Sequence, residues 1–160
     1  MNKLLFQIIW AFGGLIPQLQ ATTWHVGIHQ PFTTIHAALS KAQAGDSIVV
    51  HEGYYAEGNL LVDKRIFLTG INYPVLDGQH RDEIITITAP YVTIRGFELR
   101  NSGQLSTIDV AGIKVLSAHH ITIEDNRLRD CNFGIYLSDT DDSRVCCNDV
   151  QGIIKEEQNS

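Results

Sequence analysis

The sequence predicts an all-β solenoid, a right-handed parallel β-helix closed at its N-terminal end by one short capping helix. Two observations carry that expectation. From residue 60 onward, short β-branched runs and clusters of Gly, Asn and Asp recur together at an interval of about 22 residues, within the range of solenoid repeats. Ahead of them lies a single stretch with helical spacing, and no second one follows.

The elements follow in order. Trp24-His25-Val26 reads as a short first strand. In PFTTIHAALSKAQAGDSIVV, Thr33 or Thr34 is a natural N-cap, and Ile35, Ala38, Leu39 and Ala42 form a narrow apolar stripe at helical spacing. Gly45 falls in the C-cap position, and Ser47–Val50 reads as the next strand. A helix laid across the first coil would cover edge amides and core side chains that a solenoid end otherwise exposes.

The repeats can be laid over one another. Ile66-Phe67-Leu68-Thr69-Gly70-Ile71 matches Val92-Thr93-Ile94-Arg95-Gly96-Phe97, then Ile121 to Asn126, and more weakly Ser143 to Asn148. Ala111 to Val115 lies over Phe133 to Leu137 in the same way. Stacked coils pair each strand in parallel with its equivalent about 4.8 Å away. Inward ladders then run Ile66/Val92/Ile121 and Leu68/Ile94/Ile123/Val145, with Leu99, Leu128 and Val150 sharing a later position. Gly70, Gly96, Gly112 and Gly134 suit corners or close backbone approaches, and Asn126 over Asn148 suits a stacked amide at a turn. On the last of these coils Cys146 is expected outward and Cys147 inward with Val145. One copy is longer, and its surplus falls near Gln104–Asp109, where a loop insertion would sit. A β-sandwich would give alternation and hairpins, but no reason for strands and corners to recur at one interval.

Composition narrows the classes. The 160 residues, 44% hydrophobic and 19% charged, suffice for one domain with a core. A net charge of −6 argues against nucleic acid as a partner, since phosphate needs a basic face. At the N-terminus Lys3 precedes an apolar run from Leu4 to Ile16, then Pro17 and a small residue at Ala21. That is the layout of a signal peptide over residues 1–21, too short for a comfortable membrane span, so the mature protein is expected outside the cytoplasm. Residues 22–152 then form the β-helix, and 153–160 a polar, unordered tail that continues no coil. Three cysteines, Cys131, Cys146 and Cys147, make no disulfide framework.

With those residues in view a resemblance can be stated. FTTIHAALSKAQAGDSIVVHEGYYAEG resembles the opening of many exported parallel β-helix proteins. LTGINYPVLDG, VTIRGFELRNSG, AGIKVLSAHHITIEDNRLRDCNFGIYLSDT and CCNDVQG resemble the NosD family in particular. The resemblance implies a periplasmic, copper-binding accessory protein that is not itself an enzyme. It implies an ABC transporter membrane subunit, and nitrous oxide reductase or a copper chaperone, as partners in assembling the copper centres of that reductase. Family members carry more coils, so the chain is expected to be an N-terminal fragment or the product of an interrupted gene.

Copper has distinct ligand preferences. Cu(I) favours sulfur and Cu(II) imidazole. The single Met is Met1, and His25, His29, His36, His51 and His80 are scattered. His119-His120 is the one local pair, expected at a corner above Asp141 and Asp142. The candidate metal ligands are therefore His119, His120 and Cys146, against a plainer reading of solvated turn histidines with Cys131 and Cys147 as core fillers. The alternative function is a carbohydrate-active or carbohydrate-binding β-helix of lyase or epimerase type. It would draw on Asp139, Asp141, Asp142, Glu124 and Asp125 as acid and base, with Arg95 or Arg144 against an oxyanion. No aromatic row was evident to line a sugar groove, and no phosphate loop or nucleophile elbow is present.

Overall fold

The computed structural model describes residues 20–104 and 109–152. The expected signal peptide apart from its last two positions, residues 105–108 of the insertion, and the polar tail lie outside the described residues. Strand β1 (Thr23–Val26) leads to helix α1 (Ile35–Lys41). The first coil is β2 (Ser47–Val50), β3 (Tyr54–Tyr55) and β4 (Leu60–Val62), the second β5 (Phe67–Gly70), β6 (Val75–Asp77) and β7 (Ile85–Ile87). The third is β8 (Thr93–Arg95), β9 (Glu98–Arg100) and β10 (Ala111–Leu116), the fourth β11 (Thr122–Glu124), β12 (Arg127–Cys131) and β13 (Phe133–Ser138). The last described strands are β14 (Arg144–Cys146) and β15 (Asp149–Gly152).

Each coil adds one strand to each of three parallel sheets, ordered β1-β2-β5-β8-β11-β14, β4-β7-β10-β13 and β3-β6-β9-β12-β15. The molecule is thus a parallel β-helix of about five turns. The register is the one expected from the repeats: Leu68 faces Ile94, Ile94 faces Ile123, and Ile123 faces Val145. Period-2 strands put these side chains on the inner face, where Leu68, Ile94 and Ile123 are fully buried. Burial of one such side chain is worth about 1.5–3 kcal/mol, and the stack supplies it coil after coil.

Corners set how tightly coils can stack. A Cβ on Gly70 would meet the Gly96 carbonyl oxygen at 2.3 Å, and Gly96 adopts φ +77°, so this pair of glycines is a steric requirement. One corner further, Asn126 is buried and accepts from the Phe97 amide at 3.1 Å. Its Nδ2 donates to the carbonyls of Ile94 and Glu124 and to Asn148 Oδ1, which is the expected amide ladder.

Helix α1 caps the N-terminal end, with Ile35, Ala38 and Leu39 buried against the core. Thr34 is its N-cap, accepting from the Ala37 amide. Glu57 accepts from the Ile35 and His36 amides at 2.8 and 3.0 Å, and Lys64 Nζ donates to the carbonyls of Leu39 and Ala42 at 3.1 and 3.3 Å. Each charge has the sign that a helix end favours. The helix ends at Ala42 and not at Gly45; Gly45, at φ +97°, turns the chain into β2 and donates to the Arg65 carbonyl. Buried Asp46 then ties three segments together, accepting from the amides of Thr22 and Gln43 and from Trp24 Nε1.

Candidate functional site

Four residues share the corner position ahead of sheet strands β5, β8, β11 and β14: Arg65, Tyr91, His120 and Asp142. The last three take φ of 59°, 57° and 48°, a left-handed turn that throws their side chains outward. The His120 ring stacks on Tyr91 at 4.6 Å with 18° between planes. On the other side the Arg65 guanidinium lies 5.8 Å from the Tyr91 centroid and 5.9 Å from that of Phe67. One position earlier, His119 Nδ1 bonds the Asp141 carboxylate, as their stacked positions led one to expect.

This ladder of rings and cation was missed in the sequence, because its members are spaced by whole coils. The residue preceding each inward Ile66, Val92 and Ile121 would have shown it. The ring faces are turned on one another. The stack therefore stiffens the corner, with Tyr91 itself still half-exposed.

Cys146 lies elsewhere. It points outward from β14 in the row Arg95–Glu124–Cys146, four residues past the corner, which is about 13 Å from His120 at strand spacing. The structure brings His119 to Asp141 and His120 to Tyr91; it does not bring either to Cys146. Among the described residues no three His, Cys, Asp or Glu side chains are placed to hold one metal ion. The His119, His120 and Cys146 set thus does not fit copper as a common chelating site.

Cys131 is buried as expected, and burial pushes its thiol up. Cys147 is a correction. It is exposed, not inward, because at φ 59° it takes the corner position held by Gly96 and Asp125 in earlier coils.

The carboxylates are distributed as a charge ladder. Glu124 is bracketed by Arg95 at 3.8 Å and by a direct bond from Arg144, so neither arginine stands free beside a carboxylate pair. Asp139 and Asp142 hold left-handed corner conformations on the exposed rim.

A second cluster, also unread in the sequence, lies on the outer face of the sheet built from β3, β6, β9, β12 and β15. Tyr54 donates to Asp77 at 2.9 Å, Arg100 Nε donates to the same carboxylate at 3.2 Å, and the guanidinium sits 5.4 Å over the Tyr54 ring. Tyr73 donates to Asp125 at 2.6 Å with Arg127 3.7 Å over its ring. Burial alone would raise the Asp77 carboxyl, but hydrogen bonds from the Gln79 amide, Tyr54, Asn101 and Arg100 outweigh it and hold the group below its ordinary value. Both phenols are pushed up, chiefly by hydrogen bonding to those carboxylates. Beside exposed Tyr54, a half-open cavity of about 130 Å³ is lined by Gly27, Ile28, Thr33, Glu52 and Tyr55.

A parallel β-helix with an N-terminal helical cap and this repeat register invites comparison with known proteins. One match is 34% identical over 101 residues, the "Probable ABC transporter binding protein NosD" of Pseudomonas aeruginosa. The chain is similar to NosD. The match takes in 62% of this chain and 23% of that protein, so the chain spans about a quarter of the relative's length. Proteins named "Cystathionine beta-lyase" from Lactococcus lactis subsp. cremoris and subsp. lactis are 27% identical over 114 residues, 70% of this chain and 30% of each of theirs. The two names point to different chemistry, and the higher identity belongs to NosD. No family model matches the chain, and no solved structure matches it. Among the described residues no helix is long and apolar enough to cross a membrane.

Proposed function

We propose that the protein is an exported, periplasmic accessory factor that docks on an ABC transporter while the copper centres of nitrous oxide reductase are assembled, and that it holds partners without transforming a substrate. The observation that carries this reading is the 34% identity over 101 residues to the NosD protein of P. aeruginosa, whose name records transporter binding. The copper and reductase parts rest on the wider NosD resemblance of the repeat segments. Geometry supports a docking role: the outer wall offers a parallel sheet carrying Tyr54, Arg100 and Arg127, with Tyr73 at the corner ahead of β6, residue types that concentrate at interface hot spots. The insertion at Gln104–Asp109 adds a second candidate contact, since loops on a rigid scaffold commonly carry recognition.

The test is made in cells that respire nitrous oxide. Removing the gene is expected to leave nitrous oxide reductase without its copper, measured as metal per purified enzyme, and the full chain should restore it. A photo-crosslinker placed at Tyr54 or Tyr73 should capture the transporter's membrane subunit, whereas one at exposed Leu61, on β4 in a different sheet, should not. Normal copper content in the deletion strain would overturn the reading.

A further inference from the structure

The cavity beside Tyr54 lies where the turn that leaves β1 meets the corner between β2 and β3, so its walls come from two separate segments. Gly27, Ile28 and Thr33 stand on one side and Glu52 to Tyr55 on the other. A Cβ on Gly53 would lie 3.2 Å from the Tyr55 ring, so backbone packs directly on an aromatic side chain at this corner. At about 130 Å³ the space approaches that of an engineered cavity of about 150 Å³ that accepts benzene, a molecule of about six heavy atoms.

The hydrogen-bonding capacity left in this cavity is one-sided. The Tyr54 hydroxyl already donates to Asp77, the Tyr55 hydroxyl to the His51 carbonyl, and the Gly27 amide to the Phe32 carbonyl. Glu52 is exposed, and among the described residues it takes part in no ion pair. Among those residues no Lys or Arg lines the cavity either. Arg100, which lies over the Tyr54 ring, is held by Asp77 at 3.2 Å and by Glu98 at 3.9 Å. The charge that remains is therefore a carboxylate, which only accepts. Around it the lining is mostly apolar: ring surface, glycine backbone and Ile28, at 78% the most exposed large hydrophobic residue among those described.

We propose that this cavity binds an alkylammonium group, with the ammonium on the Glu52 carboxylate and its short aliphatic stem against Ile28 and the tyrosine rings. An ammonium carries three donors and no acceptor, which matches what the lining still offers. Its charge-assisted bond to a carboxylate is stronger than a neutral hydrogen bond, and the aromatic surface beside it adds cation–π attraction. The stem takes apolar surface of Ile28 out of water, as lysine stems do along a hydrophobic wall. Two sources present this group: a small free amine and the lysine side chain of a partner protein. The site is built by the capped end of the solenoid alone, goes beyond the transporter reading and does not rest on it.

The experiment uses the full chain, isotope-labelled, and follows its NMR spectrum at neutral pH while n-butylammonium is added. Saturable one-to-one shifts are expected at the Ile28 methyls and at the Gly27 and Gly53 amides. The same-length n-butanol and n-butyrate, neutral and negative, are each expected to bind more weakly by about 10-fold or more. Glu52→Gln should weaken n-butylammonium by about 10-fold or more, whereas Glu124→Gln, an equal loss of charge in the fourth coil, should leave it unchanged. Nα-acetyl-lysine methylamide presents the same group as a partner protein would. Tighter binding than n-butylammonium assigns the site to a lysine side chain, and weaker binding assigns it to a free amine. Equal affinity for n-butanol, unchanged affinity in Glu52→Gln, or no saturable shift at these three residues would overturn the proposal.

Discussion

The two ends of the described solenoid differ in a way the repeat itself does not encode. In the N-terminal coils the inward row is sealed: Ile48, Leu68 and Ile94 are fully buried, α1 lies across the end, and Asp46 knits three segments beneath it. In the last described coil the same rows are open. Val145 is 43% exposed and Val150 53%, although their partners Ile123 and Leu128 are at zero. One ladder position therefore has two energetic values, set by whether a neighbour lies on both sides. In a stacked array stability is a sum over coils and the interfaces between them, and for the last described coil the described residues supply one of those interfaces.

The sharpest way to break this comparison is on a single row. Ile94→Ala is expected to cost about 2–5 kcal/mol, because a cavity opens between two stacked coils. Val145→Ala, one row member at the open end, should cost less than about 1 kcal/mol, since much of its surface already meets water. Urea unfolding of the full chain reads both; equal losses would mean that the open coil is covered in solution.

Next comes the amide ladder. Asn126→Ala would strand the Phe97 amide and leave the Ile94 carbonyl short of a donor inside the core, at a cost on the order of 3 kcal/mol. Asn148→Ala should cost about 1 kcal/mol, because Asn148 is only half-buried. Similar midpoints for the two variants would sink the distinction.

At the capped end, Lys64→Ala or Glu57→Ala should each lower stability by about 1 kcal/mol through the ends of α1, in thermal or urea melts. No loss in either would show that the helix is held by its apolar stripe alone.

Acid provides a smaller and more local probe. Burial favours the neutral form of Asp46, but the Gln43 and Thr22 amides and the Trp24 indole win and hold its carboxyl below the ordinary value. Its contribution is full above the unfolded-state value of about 3.9 and is lost as pH falls through the lower folded-state value. Asp46→Asn should therefore flatten the stability–pH curve below about pH 4 relative to the unsubstituted chain. An unchanged acid limb would place the linkage at other carboxylates such as Asp77 or Glu83, which are also held low.

Much of this architecture was legible in the sequence because parallel coils repeat their inward residues. Ile66, Val92 and Ile121 could be aligned without knowing any contact, and the aligned set predicted the register residue for residue. The helix was equally plain, since its stripe of Ile35, Ala38, Leu39 and Ala42 has no rival period. What escaped reading lies across coils and not along the chain. Arg65, Tyr91 and His120 form one stack, yet each is separated from the next by a full turn of unrelated residues. Tyr54 and Arg100 escaped for the same reason.

Cys147 was misplaced because strand alternation was carried one residue too far. Its alignment with Gly96 and Asp125, residues at home in a left-handed turn, was the signal that the strand had already ended. His119, His120 and Cys146 were grouped as ligands by chemistry, but the strand between them holds Cys146 apart from the two histidines.

Amide hydrogen exchange resolved along the full chain tests the central claim most directly: that protection is set by how many coils flank each strand. The account predicts slowest exchange for strand amides around Ile94 and Ile123, high protection through the capped β2 and β5, and a steep fall across β14 and β15. Uniform protection to Gly152, or faster exchange at the capped end than at the open one, would contradict it.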